Sequence, residues 1–168
     1  LFLLALESVG ASEFGSSNNY AESDLKKAVD KWLEDMGKRG LDKAKLIPRE
    51  IDLTTLDGSG CYGKLSVTAA PLTLDEAREY ADIIPNAKRW CWLATGWSGP
   101  SKSDGDYALC VYSNGGWSPY NCSSSLGIRP ALKAPSILFE DSEAGLDLSK
   151  IPNDELLQEI HRRLAEKA

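Results

Sequence analysis

The reactive residues of this chain are few, and their spacing rules out most familiar chemistry. The single histidine, His161, stands directly before Arg162 and Arg163 near the C-terminus. An imidazole works as acid or base only when a site holds it against a proton, and here it reads as a solvated residue of a terminal helix. A Ser–His–Asp or Cys–His arrangement is therefore not expected. The four cysteines, Cys61, Cys91, Cys110 and Cys122, include no CxxC pair, which argues against a zinc ribbon or a thioredoxin-type site. They read as reduced cysteines half-buried in strands. A Cys91–Cys110 or Cys110–Cys122 disulfide stays open for an exported protein. There is no phosphate-binding GxxxxGKS run and no GxGxxG placed after a strand. The acidic turns DGSG (57–60) and SDGD (103–106) could offer carboxylates to calcium, but neither has the twelve-residue EF-hand spacing. Asp104 and Asp106 read as loop-solvating residues. No catalytic residue, metal or cofactor is assigned.

Recognition chemistry is better represented. Tyr107 to Ser125, YALCVYSNGGWSPYNCSSS, contains twelve Tyr, Ser, Asn or Gly among nineteen residues. Tyrosine gives broad contact area with few rotors to freeze, and Ser, Asn and Gly give adaptable hydrogen bonds, the mixture antibody paratopes use. Within it Tyr112, Tyr120 and Asn121 cluster and are candidate contacts, with Tyr107 at the start of the stretch. Trp97, in a Gly/Ser loop, divides evenly between packing and ligand contact. Trp90, Trp92 and Trp117 are expected to fill the core, where large aromatics dominate burial. Arg129 beside Pro130 reads as structural, its rigid fork holding loop carbonyls or a carboxylate.

These residues need a frame. Leu1 to Ser8 reads as a buried first strand and Gly10 to Tyr20 as a loop. Ser23 caps a helix whose Leu25, Ala28, Val29, Trp32, Leu33 and Met36 share one face, with Gly37 as its stop. A short helical turn is expected around Leu41 to Leu46. Pro48 to Gly63 is loop-rich, and Leu65 to Val67 a short strand. Thr73-Leu-Asp-Glu76 is a capping box. It opens a second helix with Leu74, Ala77, Tyr80, Ala81 and Ile84 on its apolar side, ended by Pro85. Trp90 to Ala94 and Tyr107 to Ser113 are strands. In the latter Leu109 and Val111 point one way and Cys110 and Tyr112 the other. Asn114-Gly115 signals a hairpin turn. Trp117 to Cys122 returns, and Leu126 to Lys133 closes the sheet. Residues 135–150 are loop-like. From Pro152 an amphipathic helix carries Leu156, Leu157, Ile160 and Leu164, free to dock on its own domain or on a second subunit.

At 168 residues, 42% apolar and 26% charged, the composition is that of a soluble globular domain with or without an appendage. The net charge of −6 argues against nucleic acid as partner, because phosphate binding needs a basic stripe. Lys26, Lys27 and Lys31 are offset by Asp24, Asp30, Glu34 and Asp35. The longest apolar run, Leu1 to Leu6, is too short to span a bilayer. With no Met before Leu1 and a strand-like opening, the true N-terminus is expected upstream, and the tail of a signal peptide is the weaker reading.

In order, SSNNYAESDLKKAVDKWL, LIPREIDL, PLTLDEAREYADIIP, RWCWLATGWSG, YALCVYSNGGW and LGIRPALK resemble a known family. They look like the bacterial, archaeal and phage domains that end in a G-V-R-P-A-L or G-I-R-P-A-L motif after a W-W-L-R-S-like strand. Those domains are similar to the C-type lectin fold as used by relatives of the formylglycine-generating enzyme. The resemblance spans nearly all of Leu1 to Lys133. It implies an α+β fold in which two helices flank a twisted, mostly antiparallel sheet, residues 1–133 forming the ligand-binding domain and residues 134–168 a linker and C-terminal helix. Some members are variable proteins of diversity-generating retroelements, in which a reverse transcriptase scrambles adenine positions. Codons of the AAY type then scatter into Asn, Tyr, Ser, Asp, Gly and Cys. The resemblance thus implies ligand contacts at Tyr112, Asn114, Ser118, Tyr120, Asn121, Ser123 and Ser124. These interleave with a frame of Val111, Gly115, Trp117, Cys122, Gly127, Arg129 and Pro130.

This chain departs from the family in places. Ala94 stands where the W-W-L-R-S strand has Arg, so a polar anchor is missing or the position is itself variable. The calcium motifs of animal lectins are absent, Ile84-Pro85-Asn86 only grazing one. The cysteine pair and metal sites of the formylglycine-generating enzymes have no counterpart. The implied function is non-enzymatic recognition of a protein or cell-surface ligand, by a protein that is cytoplasmic, surface-borne or virion-associated and able to self-associate through its terminal helix. The alternative is an enzyme or enzyme-accessory domain of the formylglycine-generating type.

Overall fold

The computed structural model of the chain describes residues 1–100 and 104–136. The expected terminal helix with His161 lies outside the described residues.

The first helix follows from its sequence. In α1 (Asp24–Lys38) the Ser23 hydroxyl accepts from the Lys26 amide at 2.9 Å, while Leu25, Val29, Leu33 and Met36 are buried. The ion pairs Lys26–Asp30, Lys27–Asp24 and Lys38–Asp35 lie on its exposed side, where such pairs add little. Gly37 does not stop the helix. The positive φ that ends it falls on Gly40, at 112°, a conformation glycine adopts without steric cost.

The second helix is shorter than its pattern suggests. In α2 (Leu74–Glu79) Thr73 and Glu76 form the expected reciprocal capping box. Beyond Glu79 the chain unwinds into turns in which the Ile83 and Ile84 amides both donate to the Tyr80 carbonyl. Pro85 keeps Ile84 out of the helical region, so the periodicity through Tyr80, Ala81 and Ile84 outlasts the helix.

The strands are β1 (Phe2–Leu4), β2 (Ala11–Ser12), β3 (Arg49–Asp52), β4 (Lys64–Val67), β5 (Ala69–Ala70), β6 (Cys91–Gly96), β7 (Tyr107–Val111), β8 (Trp117–Asn121), β9 (Leu126–Gly127) and β10 (Ala131–Lys133). With the helices they make a mixed α+β fold. Among the described residues there are three sheets instead of one, in the orders β2-β9-β6-β7-β8, β1-β10-β5 and β3-β4. Every strand pair is antiparallel except β6 with β9. The segment from Leu126 to Lys133 does not close one sheet. It hands over from β9 to β10 at Arg129-Pro130, where proline has no amide to continue a ladder. Residues 49–52, read as loop, form β3, in which Arg49 and Ile51 face inward and Glu50 and Asp52 outward.

The five-stranded sheet divides the core. One face packs Trp92, Ala108 and Cys110 with α1 and with Phe14, whose ring meets Trp92 edge-on at 5.4 Å. The other packs Leu93 and Leu109 against Leu72, Leu74 and Ala131. Val111 joins this second cluster and Tyr112 the first, the alternation expected for β7. Between Trp92 and Gly96 the register of β6 against β7 slips. In that irregular stretch the Ala94 amide donates to the Leu72 carbonyl and the Thr95 hydroxyl accepts from the Leu74 amide. Ala94 is 1% exposed, so it is a core residue and no ligand contact. Among the described residues no helix is long and apolar enough to cross a membrane.

Candidate functional site

The β7–β8 hairpin turns where the sequence signals it. The Gly115 amide donates to the Tyr112 carbonyl, Gly115 has φ 85°, and the Asn114 side chain accepts from the Gly116 amide at 3.0 Å. Register pairs Ala108 with Tyr120 and Cys110 with Ser118. Tyr112, Ser118 and Tyr120 therefore share a face. Trp90, one residue before β6, joins them: its ring centroid lies 4.3 Å from that of Tyr112 and 5.6 Å, edge-on, from that of Tyr120. Three rings thus form a ridge, with Trp90 38% and Tyr120 36% exposed. Trp90 is not the core residue expected. It has the same parity as buried Trp92, two residues on, but does not share the cover that Phe14 gives Trp92.

Neighbouring candidates form a polar patch. The Asn121 amide donates to Asp106 at 3.2 Å, and its carbonyl oxygen accepts from the Ser123 amide and hydroxyl. The Ser124 amide donates to the Asn121 carbonyl. Ser123 and Asn114 are exposed, and Ser118, Asn121 and Ser124 half-buried. Between them Cys122 is sealed, its amide bonded to Asp106 and its carbonyl accepting from Phe14 and Gly15.

Three candidates lie off the ridge face. Tyr107 is exposed at the far end of β7 and pairs with Asn121, so both have the parity of Trp117, opposite to that of Tyr112 and Tyr120. Trp97 follows the last residue of β6 and packs half-buried on the second cluster, roughly 20 Å along the strand from Trp90 at ~3.3 Å per residue. It is not part of the ridge.

Trp117 departs from its expected place in the frame. It is 43% exposed on the opposite face of the hairpin, and the Arg78 guanidinium of α2 sits 5.2 Å from its ring centre. A cavity of about 190 Å³ lies beside this pair, lined by Leu72, Leu74, Leu93 and Val111 among others. Arg129 reaches it from below and holds loop carbonyls, as expected: Nε donates to Ala5 at 2.8 Å and Nη2 to Pro85 at 2.9 Å. Arg129 as a whole is 8% exposed.

The thiols are free. Cys61 is exposed and the other three buried. Burial pushes Cys91 up to about 11, and Cys110 and Cys122 up to about 12. Among the described residues no three metal-ligating side chains gather. In the turn at 57–60 the Asp57 carboxylate accepts from the Thr55 hydroxyl at 2.5 Å and the Ser59 amide, so it braces its own loop. Residues 101–103, including part of the second acidic turn, lie outside the described residues.

Two residues that carry much of the frame have no local signature. Asn18, 1% exposed, donates to the Ser98 and Tyr107 carbonyls and accepts from the Tyr62 hydroxyl. It thereby ties the first loop to both ends of the 97–107 connection. Arg49 donates to the Glu76 carboxylate and to the Ala70 and Pro71 carbonyls, and its guanidinium lies 5.3 Å from the Phe2 ring centre. A charge at an inward strand position beside Ile51 was the one available clue to its burial.

No family model matches the chain, and neither the curated proteins nor the solved structures contain a match.

Proposed function

We propose that this chain is a non-enzymatic recognition domain of C-type lectin type, and a variable protein of a diversity-generating retroelement. Its Tyr112–Tyr120–Trp90 ridge and the neighbouring Asn114 and Ser123 meet a protein or cell-surface ligand, with Asn121 bracing the turn that carries Ser123. The observation that supports this reading is a contrast in burial between some of the candidate contacts and part of the frame. Asn114, Tyr120 and Ser123 are exposed, while Cys110, Cys122, Gly127, Arg129 and Pro130 are buried. Exposed positions can change at little cost, typically within ~0.5 kcal/mol, so the ligand can change while the frame stays. A rigid strand pair also lowers the ordering cost of binding. Burial that keeps Cys91, Cys110 and Cys122 protonated at neutral pH speaks against these thiols as nucleophiles, and so against a formylglycine-generating activity built on them.

The test is a displayed library with Asn114, Tyr120, Asn121 and Ser123 randomised, selected for protease resistance, beside a second library at Cys110, Cys122 and Gly127. Most members of the first should stay folded and most of the second should not. Equal losses in both would overturn the reading. The coding DNA supplies an independent check. A nearby reverse transcriptase gene, and a near-repeat of the codons for residues 107–129 differing only at adenines, are expected.

A further inference from the structure

The cavity beside α2 has a chemistry that the aromatic ridge does not use. Its volume is about 190 Å³, above the ~150 Å³ of an apolar cavity that holds benzene. Its lining is apolar except for Arg78, Asn86, Cys91, Tyr112, Trp117 and Arg129, and it includes no aspartate or glutamate. That is a marked imbalance in a chain of net charge −6.

Arg129 is the informative member. It is 8% exposed, and its Nε and Nη2 are taken up by two backbone carbonyls. Among the described residues its Nη1 has no acceptor, and unlike the Arg49 Nε it is not sealed from solvent. No carboxylate among the described residues lies within ion-pair distance of it. Glu7, whose charge reaches it, instead accepts from the Lys88 amide at 2.8 Å, with the Lys88 ammonium 3.9 Å away. A largely buried cation with no counter-ion in contact gains from an anion that reaches its open nitrogen. The contrast is internal, because Arg49 is still more deeply buried and has Glu76. A second cavity of about 130 Å³, lined by Phe2, Leu6, Tyr80 and Ile83, shares Leu4, Ile84, Pro85 and Arg129 with the first. The guanidinium, with no carboxylate in contact among the described residues, thus lines two apolar spaces.

We propose that the cavity between α2 and the β6–β7 face binds a small apolar molecule bearing one carboxylate, whose head takes Arg129 as counter-ion and whose phenyl-sized or short aliphatic tail fills the leucine-lined space. Arg78 and Trp117 close one side. The assignment does not depend on the ridge being a ligand-binding face.

The experiment is a titration of the full chain with phenylacetate and, separately, with benzyl alcohol, followed by methyl NMR shifts of Leu74, Leu93 and Val111. Phenylacetate should shift these methyls and bind at least tenfold more tightly than the alcohol, since a bond to a charged group is stronger than a neutral one. Arg129→Met should erase the difference between the two probes. Because that variant could unfold, Ala77→Leu serves as well: it fills the cavity from α2 without touching Arg129 and should abolish binding of both. Three results would overturn the assignment: no methyl shift with millimolar phenylacetate, equal affinity for the two probes, or unchanged binding in folded Ala77→Leu.

Discussion

Arg49→Met is the sharpest probe of how α2 is held. Arg49 is 3% exposed and joins β3 to the capping carboxylate of α2 while satisfying the Ala70 and Pro71 carbonyls. Methionine keeps the volume and removes the charge. Breaking a buried pair from one side costs about 3–5 kcal/mol, because the other charge is stranded, and two carbonyls also lose their donor. Two features pull the figure to the lower end. Glu76 retains partial exposure, 23%, and the Arg49 Nε has no acceptor in the native fold, so the substitution also removes one unsatisfied donor. The expected loss is about 3 kcal/mol, a large share of a typical ~5–15 kcal/mol. Urea unfolding at neutral pH measures it, with the slope unchanged. A cycle with Glu76→Gln should give a coupling of about 1–3 kcal/mol. A loss below about 1 kcal/mol, or strict additivity, would refute the reasoning and leave α2 held by Leu74 and its neighbours alone.

Two further outcomes are expected. Below pH 9 the three buried thiols are neutral in both states and their contribution to stability is complete. Above the ordinary thiol value of 9.0 the unfolded chain loses these protons first, while the folded values lie at about 11 to 12. Stability should therefore fall as pH rises from 9 towards 11, by roughly 1.4 kcal/mol per pH unit per thiol. Denaturation series at pH 8, 9 and 10 read this, and a flat profile would mean the thiols reach water. Gly127→Ala places a Cβ 2.8 Å from the Cys91 sulfur, the Ser8 hydroxyl and the Trp90 carbonyl. Overpacking against backbone should cost about 1–3 kcal/mol in chemical denaturation; a cost under ~0.5 kcal/mol would show that β9 moves aside freely.

Local signals in the sequence carried further than distant ones. Ser23 and the spacing of Leu25, Val29, Leu33 and Met36 locate α1 because cap and stripe are properties of adjacent turns. Thr73 and Glu76 locate the start of α2 for the same reason, and Asn114-Gly115 the hairpin. The end of α2 was misjudged because periodicity continues through residues that only turn. Trp90 and Trp117 were misplaced because an indole in a strand reveals its parity but not whether anything covers that end of the sheet. Asn18 and Arg49 gave almost no sign, since the partners of Asn18 lie 44 to 89 residues away and those of Arg49 lie 21 to 27 away. The handover at Arg129-Pro130 depends on which sheet each side joins, a choice made by β1 and β2 more than a hundred residues earlier. For the site, composition singled out the hairpin, while the contribution of Trp90 and the exclusion of Trp97 needed the register.

The outer strand β8 carries Pro119, opposite Leu109. The Tyr112 amide bonds to the Gly116 carbonyl, and the antiparallel alternation from there makes position 119 one whose amide would aim away from β7. Proline leaves that spot without a donor. A visiting strand cannot zip along this rim as a sixth member of the sheet. Pairing of a second strand along β8 is thereby discouraged at this point of the rim.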